Sequence, residues 1–143
     1  MSPKDLSLAY LKKTRSRLKA LAVQYEDASY SDVVRESQQI VELCSKGILR
    51  IALIDPPHRH DVAEELLQVQ AQLGKKYQKA IDELATANHW LRREREMSFY
   101  GAEDLDPTEG YSVKDADRAR RFAELAVSTL ADLIDGTKSK GES

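Results

Sequence analysis

The sequence is poor in the residues that stabilise small proteins through covalent bonds or metal ions. Cys44 is the one cysteine among 143 residues, so no disulfide can form within the chain. A chain of this length can bury a sizeable core without one, which favours a single domain. Because Cys44 falls on an apolar helical stripe, we expect a buried thiol in a reducing, cytoplasmic compartment rather than a nucleophile.

Long apolar runs and an excess of charge of one sign are also missing. Neither a run of about eighteen apolar residues nor a charged-then-apolar leader occurs, so neither a membrane span nor secretion is indicated. The formal net charge is -2 although 32% of the residues are charged. This balance argues against a protein that binds nucleic acid over its whole surface, because such proteins are normally basic. Local basic clusters remain compatible with it.

Several motifs of catalysis are absent as well. There is no glycine-rich phosphate loop, no helix with paired histidines and no serine in a nucleophile elbow. His58, His60 and Asp61 are close in sequence, but two histidines in a turn without a third ligand at a recognised spacing do not predict a metal site. We expect His60 to make a structural hydrogen bond and Asp61 to cap a helix. No metal or cofactor is expected.

Helical periodicity, in contrast, runs through the whole chain, and no segment shows the period-two alternation of a strand. Helices are predicted over residues 3–26, about 32–54, 62–73, 75–99 and about 113–136. Five helices joined by short turns imply an all-α, antiparallel up-and-down bundle that fills residues 1–136. Gly136 is expected to end the last helix, and the polar residues 137–143 are expected to form a disordered tail.

Three of the predicted helices carry a clear line of core positions. On the first helix these are Leu6, Tyr10, Thr14, Leu18, Leu21 and Tyr25; on the second they are Val33, Ser37, Ile40, Cys44, Ile48 and Ile51; on the last they are Ala116, Ala119, Ala123, Ala126, Leu130 and Leu133. Gly47 interrupts the second helix at a cost of about 1 kcal/mol relative to alanine, which indicates close approach of a neighbour. The basic residues of the first helix are interpreted as a solvated face; they are Lys12, Lys13, Arg15, Arg17 and Lys19.

The fourth helix ends in a stretch, residues 91–101, that crowds arginines and aromatic residues together. Its apolar stripe alternates by four and three residues through Tyr77, Ile81, Leu84, Asn88 and Leu91. The next position on that line is Arg95. A guanidinium group on the buried line of a helix requires an anion, a carboxylate or a water-filled cleft. The candidate binding residues are therefore Arg92, Arg93, Arg95 and Tyr100.

Two further features surround this stretch. Trp90 and Met97 lie seven residues apart on a flank of the same helix, and a second apolar side favours a partner helix, so both are expected at a dimer interface. The acidic loop that follows offers an alternative to ligand binding. In that alternative Arg95 pairs with the acids of residues 103–106 and Tyr100 packs beneath the loop.

The order and spacing of four segments resemble the HEPN domain family, named for higher eukaryotes and prokaryotes nucleotide-binding. They are the helix at residues 30–53, the Pro-Pro-His-Arg-His-Asp-Val turn at 56–62, the Arg-Glu-Met-Ser-Phe-Tyr-Gly run at 95–101 and the Tyr-Ser-Val-Lys-Asp-Ala entry at 111–116. The resemblance covers nearly the full chain. It implies an up-and-down helical bundle that is usually a homodimer and is often encoded beside a minimal nucleotidyltransferase.

Many members of that family are RNases or toxins that cleave RNA with an arginine and a histidine four to six residues apart, brought together across the dimer. The resemblance matches Arg95 to the arginine, but Tyr100 stands where the histidine is expected. Histidine titrates near pH 6.5 and can move protons at neutral pH, whereas an unperturbed tyrosine, with a pKa of about 10, is a poor base there. His89 precedes the arginine, in the wrong order for the motif, and is interpreted as a surface or interface residue.

These observations leave three hypotheses. The leading one is a HEPN-type homodimer that binds nucleotide or RNA phosphate in a cleft lined by the four candidate residues, with little or no RNase activity. Its expected context is a pair with a nucleotidyltransferase in a toxin–antitoxin or defence system. The second is a metal-independent RNase in which the catalytic candidate Arg95 acts with Tyr100 or with a histidine from elsewhere. In the third, the dimer is a non-catalytic structural partner of another protein.

Overall fold

The computed structural model describes residues 2–100 and 110–141, apart from the side chains of residues 95–100 and 137–141. The chain forms helices α1 (Pro3–Glu26), α2 (Tyr30–Ile51), α3 (Ala63–Leu73), α4 (Gln78–Tyr100) and α5 (Val113–Gly141), with a 3-10 turn at Lys75–Tyr77. No strand occurs in the described residues, so the predicted all-α bundle of about five helices is confirmed. Within the same residues, no helix combines the length and the apolar character needed to cross a bilayer.

Side-chain contacts show that α1 and α2 run in opposite directions. Ser7, near the start of α1, bonds to Gly47 near the end of α2, while Arg17, further along α1, bonds to Glu36 nearer the start of α2. Trp90 of α4 packs on Phe122 of α5, while Tyr77, just before α4, donates to Asp132 further along α5, so these two helices also run in opposite directions. The predicted antiparallel packing is therefore present in these two helix pairs.

Helix α1 begins at a capping box in which the Ser2 hydroxyl accepts from the Asp5 N–H and the Asp5 carboxylate accepts from the Ser2 N–H. Its buried residues are Ser7, Leu11, Thr14 and Leu21. Thr14 and Leu21 were predicted core positions, whereas Ser7 and Leu11 each lie one residue after a predicted position that is only partly buried. Ser7 and Thr14 can be buried because each hydroxyl donates to a main-chain carbonyl oxygen.

Helix α2 lies at the centre of the bundle and packs against each of the other four helices. Its predicted core positions are buried, except that Ile51 at its end is partly exposed. A Cβ atom added to Gly47 would lie 3.1 Å from Leu130 Cδ1 of α5, so the predicted close approach is confirmed. Helix α1 also approaches α2 at this residue, because the Ser7 hydroxyl of α1 donates to the Gly47 carbonyl oxygen at 2.9 Å.

Helix α5 buries all six of its predicted core positions, four of which are alanines. It continues through Gly136 to Gly141, so the predicted end at Gly136 is wrong. A glycine ends a helix by adopting a positive φ. Gly74 does so after α3, with φ of 102°, whereas Gly136 does not. The separate tail over residues 137–143 stays a prediction.

Candidate functional site

The buried face of α4 determines how its charged end is presented. Ile81, Leu84, Asn88 and Leu91 are buried, as the sequence predicted. The Asn88 amide donates to the Ser45 hydroxyl of α2 at 2.9 Å, which gives the polar position on this line a partner in the core. Packing therefore fixes the rotation of α4 about its axis as far as Leu91.

Arg92 and Arg93 follow directly, and both are exposed. Successive residues of a helix are turned by about 100°, so the two side chains leave α4 on its solvent side once Leu91 is buried. Both belong to a packed helix rather than to a loop. The structure thus places these two candidate binding residues next to each other on the surface.

Arg95, Met97 and Tyr100 belong to the main chain of α4. Their side chains lie outside the described residues, as does the acidic loop at residues 103–106. The predicted binding and catalytic roles of Arg95 and Tyr100, and the interface role of Met97, therefore stay predictions.

The start of α5 holds the end of α4 in place. Tyr111 Oη donates to the Glu94 carbonyl oxygen at 2.9 Å. Ser112 and Asp115 form the predicted capping box, in which the Asp115 N–H donates to Ser112 Oγ at 3.2 Å and the Ser112 N–H donates to the Asp115 carboxylate at 3.1 Å. The main chain just before Arg95 is therefore tied to the capped start of another helix.

Trp90 packs against α5 of its own chain. Its ring centroid lies 6.1 Å from that of Phe122, and the Arg118 guanidinium carbon lies 4.5 Å from the centre of the Trp90 ring. A cation–π contact of this kind contributes about 0.5–1 kcal/mol at an exposed site. The indole stays partly exposed, and its role at a dimer interface stays a prediction.

Glu94 has both acidic and basic neighbours. Partial burial and the nearby Asp115 carboxylate raise the pKa of Glu94, while Arg93 and Arg118 act in the opposite direction. Both arginines are therefore close enough to Glu94 to affect its ionisation. Arg93 comes from α4 and Arg118 from α5, so two guanidinium groups and two carboxylates from the two helices meet here.

A groove of about 410 Å³ lies between α4 and α5 beside this cluster. It is lined by Asp82, Glu83 and Thr86 of α4 and by Arg118, Arg121, Phe122 and Leu125 of α5. One wall therefore carries carboxylates, and the other carries guanidinium groups and apolar side chains.

His89 makes a contact that the sequence did not indicate. Its Nδ1 lies 3.3 Å from Asp61 Oδ2, in the segment before α3. Asp61 Oδ1 accepts the Ala63 N–H at 2.9 Å, so Asp61 satisfies a donor at the start of α3 as predicted, although Val62 holds the cap position. The side chain of His89 is 80% exposed, whereas that of Asp61 is 13% exposed. Asp61 and His89 are 28 residues apart in sequence and come together because α3 packs antiparallel to α4.

His60 makes the structural hydrogen bond predicted for it, with its Nδ1 3.1 Å from a Glu42 carboxylate oxygen. Partial burial alone would raise the pKa of Glu42, but hydrogen bonds from His60, Lys46 and Gln38 outweigh it and lower that pKa. Among the described residues, no three His, Cys, Asp or Glu side chains are arranged to hold a metal ion.

A protein-family model described as HEPN domain matches residues 7–133 of the chain. The match includes the arginines at the end of α4, Trp90, and both members of the His89–Asp61 pair. No curated protein and no solved structure matches the chain significantly.

Proposed function

The chain belongs to the HEPN domain family, and from that membership we propose that it binds the phosphate groups of nucleotides or RNA through the arginines at the end of α4. The family supports a nucleotide- or RNA-related function in general, and HEPN domains commonly dimerise and bind RNA. The proposed ligand site is a cleft where two copies of the chain meet. Its proposed lining residues are Arg92, Arg93, Arg95 and Tyr100.

The proposal rests mainly on the exposed Arg92–Arg93 pair. The helix that carries it is held in place by the residue before the pair and by the residue after it. Leu91 is buried beneath the pair, and the Glu94 carbonyl oxygen just after it is bonded by Tyr111. Guanidinium groups bind phosphate oxygens through two parallel hydrogen bonds, which makes arginine well suited to this ligand. A helix also presents such groups with less loss of conformational freedom than a loop does.

The groove between α4 and α5 supports the proposed homodimer. Its α4 wall carries Asp82 and Glu83, and its α5 wall carries Arg118 and Arg121. In a two-fold symmetric interface the same surface of both copies meets, so the acidic wall of one copy can face the basic wall of the other. Trp90, partly exposed beside Arg118, supplies apolar area for the same contact.

In the segment from Arg95 to Tyr100 a tyrosine stands in the histidine position of the family's motif, and an unperturbed tyrosine is a poor base near neutral pH. We therefore propose that this segment binds RNA and contributes little or no cleavage of its own. We also propose that the protein is cytoplasmic and that it pairs with a nucleotidyltransferase in a toxin–antitoxin or defence system. A nucleotidyltransferase that is encoded beside this gene and co-purifies with its product would support that partner.

Removal of the two exposed arginines tests the binding site. In the variant Arg92→Ala/Arg93→Ala, affinity for a labelled 2'-O-methyl RNA oligonucleotide should fall about 10-fold or more, because charge-assisted hydrogen bonds to phosphate are lost. The slope of log affinity against log salt should also decrease, by about 0.7 for each phosphate contact removed. Fluorescence anisotropy at several salt concentrations measures both quantities, and competition with ATP separates nucleotide from RNA binding.

The matched control is Lys12→Ala/Lys13→Ala, which removes the same charge from two adjacent, exposed residues of α1. This variant should bind RNA with nearly the affinity and salt slope of the unmodified protein. Equal weakening by both double variants would show nonspecific attraction to positive charge and would contradict the proposed site.

A further inference from the structure

We infer that a second copy of this chain docks on the end of the bundle opposite the arginines, where Leu53 of each copy enters an apolar hollow of the other. The hollow is a cavity of about 180 Å³ whose lining includes Pro3, Lys4, Arg50, Ile51, Leu53 and Ile134. This contact is separate from the proposed RNA site and does not depend on it.

Leu53 follows the end of α2 in a backbone conformation that suits glycine. The Leu53 N–H donates to the Arg50 carbonyl oxygen at 3.0 Å, and the Ile54 N–H donates to the Leu49 carbonyl oxygen at 2.9 Å. This pair of bonds is the Schellman motif, in which the residue after the helix cap has a positive φ and is usually glycine. The φ of Leu53 is 63°. A leucine is strained there, because its Cβ atom crowds the following carbonyl oxygen.

The strained leucine gains little from burial within its own chain. Its side chain is 80% exposed, which is more than any other large apolar side chain in the described part of the chain. Backbone strain persists where the surrounding structure or a function requires it. Since neither the helix end nor the core requires a leucine at this position, the apolar group is best explained by a contact outside the chain.

The hollow beside Leu53 suits one aliphatic side chain. Its apolar walls come from three helices, through Pro3 of α1, Ile51 of α2 and Ile134 of α5. A cavity of about 150 Å³ with apolar walls is large enough for a benzene-sized group, so the hollow has room for a leucine. Leu53 itself forms part of the wall, which means that the projecting side chain and the space that can receive it adjoin.

This adjacency makes the surface complementary to itself. In a two-fold contact the same patch of both copies meets, so one rotation places each Leu53 in the hollow of the other copy. The charges agree with that arrangement, because Lys4 and Arg50 line the hollow and Asp55 follows Leu53 by two residues. Asp55 is 95% exposed and lies 3.7 Å from Arg50. A loose, exposed pair of this kind contributes little, so the carboxylate is available to Lys4 of the second copy.

Helix α5 spans the distance between the hollow and the end of α4. Tyr111, just before α5, bonds to the Glu94 carbonyl oxygen, whereas Ile134 lines the hollow. At a rise of about 1.5 Å per residue, the start of α5 and Ile134 lie roughly 30 Å apart. Docking at the hollow therefore leaves Arg92 and Arg93 uncovered, and it joins pairs of chains that already share a cleft at the α4 end.

Replacement of the leucine by glycine tests the contact with two readouts of opposite sign. In Leu53→Gly the association constant measured by sedimentation equilibrium should fall about 10-fold or more, because a buried leucine is lost from each copy. At a concentration where the copies are dissociated, Tm should rise by about 2–4 °C, since glycine relieves the strain of the positive φ. A variant that associates as the unmodified protein does would overturn the inference.

The matched control is Ala28→Gly. Ala28 follows the end of α1 with φ of 58° and the same pair of hydrogen bonds, from its own N–H to the Tyr25 carbonyl oxygen and from the Ser29 N–H to the Gln24 carbonyl oxygen. This variant should also gain thermal stability, and its association constant should be unchanged. Equal loss of association in the two glycine variants would show a general effect of helix-end flexibility and would overturn the assignment to Leu53.

Cross-linking locates the contact without relying on its strength. A short bis-maleimide should link two copies of Leu53→Cys and should not link two copies of Ala28→Cys, because only the former side chains touch across the two-fold axis. The buried Cys44 thiol does not compete for the reagent. Absence of a linked dimer from Leu53→Cys, with no association at this end up to millimolar concentration, would assign the hollow to another ligand and overturn the inference.

RNA binding separates this contact from the proposed function. Leu53→Gly should bind the labelled 2'-O-methyl RNA with the affinity of the unmodified protein, since the hollow is remote from the arginines. Failure of the unmodified protein to bind that RNA would overturn the proposed function and leave the Leu53 contact intact. Loss of RNA affinity together with association in Leu53→Gly would place Leu53 in the RNA site and overturn the inference.

Discussion

Burial raises the pKa of the Cys44 thiol to about 12, against a smaller effect of its contact with the Thr14 hydroxyl. The thiolate is the reactive form of cysteine, and the sulfur has no exposed surface. The residue is therefore an apolar core side chain, as its position on the α2 stripe predicted.

This pKa predicts a slope of stability with pH. The folded value lies above the unfolded value of 9.0, so the folded state binds more protons and its free energy of unfolding falls as pH rises above 9 toward 12. The full contribution is present below pH 9, and the limiting slope is about 1.4 kcal/mol per pH unit. Urea unfolding between pH 8 and 10 measures this slope. The free energy of unfolding should fall with pH in the unmodified protein and should fall less in Cys44→Ala. Parallel pH dependence in the two proteins would contradict a buried thiol.

Single residues also show what the sequence can and cannot predict about the site. Arg92 and Arg93 could be placed on the surface from the rotation of α4, because packing follows a regular period. The His89–Asp61 pair could not, because it joins residues brought together only when α3 folds back on α4. Ser7 escaped prediction as a core residue for a related reason, since its burial depends on a hydrogen bond to the Gly47 carbonyl oxygen that hydropathy does not report.

At the scale of helices, one prediction about a buried glycine was correct and one about an exposed glycine was wrong. Gly47 of α2 packs against Leu130 of α5, as the cost of a glycine within a core helix suggested. Gly136 of α5 is helical and exposed, although glycine near the end of a periodic segment usually indicates a terminus. A glycine near the end of a periodic segment therefore does not by itself end a helix.

This contrast predicts opposite effects of adding side chains. Gly136→Ala should stabilise the protein by about 0.5–1 kcal/mol through helix propensity, since the nearest atom to the added Cβ, Tyr77 Oη, is 3.8 Å away. Gly47→Val should destabilise it by about 1–3 kcal/mol, because overpacking forces the buried Leu130 and the partly buried Tyr10 side chains away from α2.

Thermal and urea unfolding of the two glycine variants check these signs. A Gly136→Ala protein that is less stable than the original would indicate that α5 ends at residue 136, as the sequence alone suggested. Stability unaffected by Gly47→Val would indicate that α2 and α5 are further apart than the 3.1 Å approach to Leu130 Cδ1 implies.

At the scale of the whole molecule, the all-α bundle followed from the sequence because each helix has one apolar face that must be buried against another helix. The family resemblance rested on the order of four segments and is confirmed by a match over residues 7–133. The way in which two copies meet does not follow from the periodicity of one chain, because an interface joins surfaces that periodicity assigns to solvent. Trp90 illustrates this, since it packs on Phe122 within the chain and still leaves part of its ring exposed.

The stoichiometry of RNA binding tests the shared cleft most directly. Sedimentation velocity of the protein with a short, labelled 2'-O-methyl RNA gives the mass of the complex at saturation. A cleft formed by the α4 ends of two copies predicts one oligonucleotide bound by two chains, with the complex lost in Arg92→Ala/Arg93→Ala. A saturated complex of one chain with one oligonucleotide, or one that persists in that variant, would contradict a phosphate site shared across a dimer.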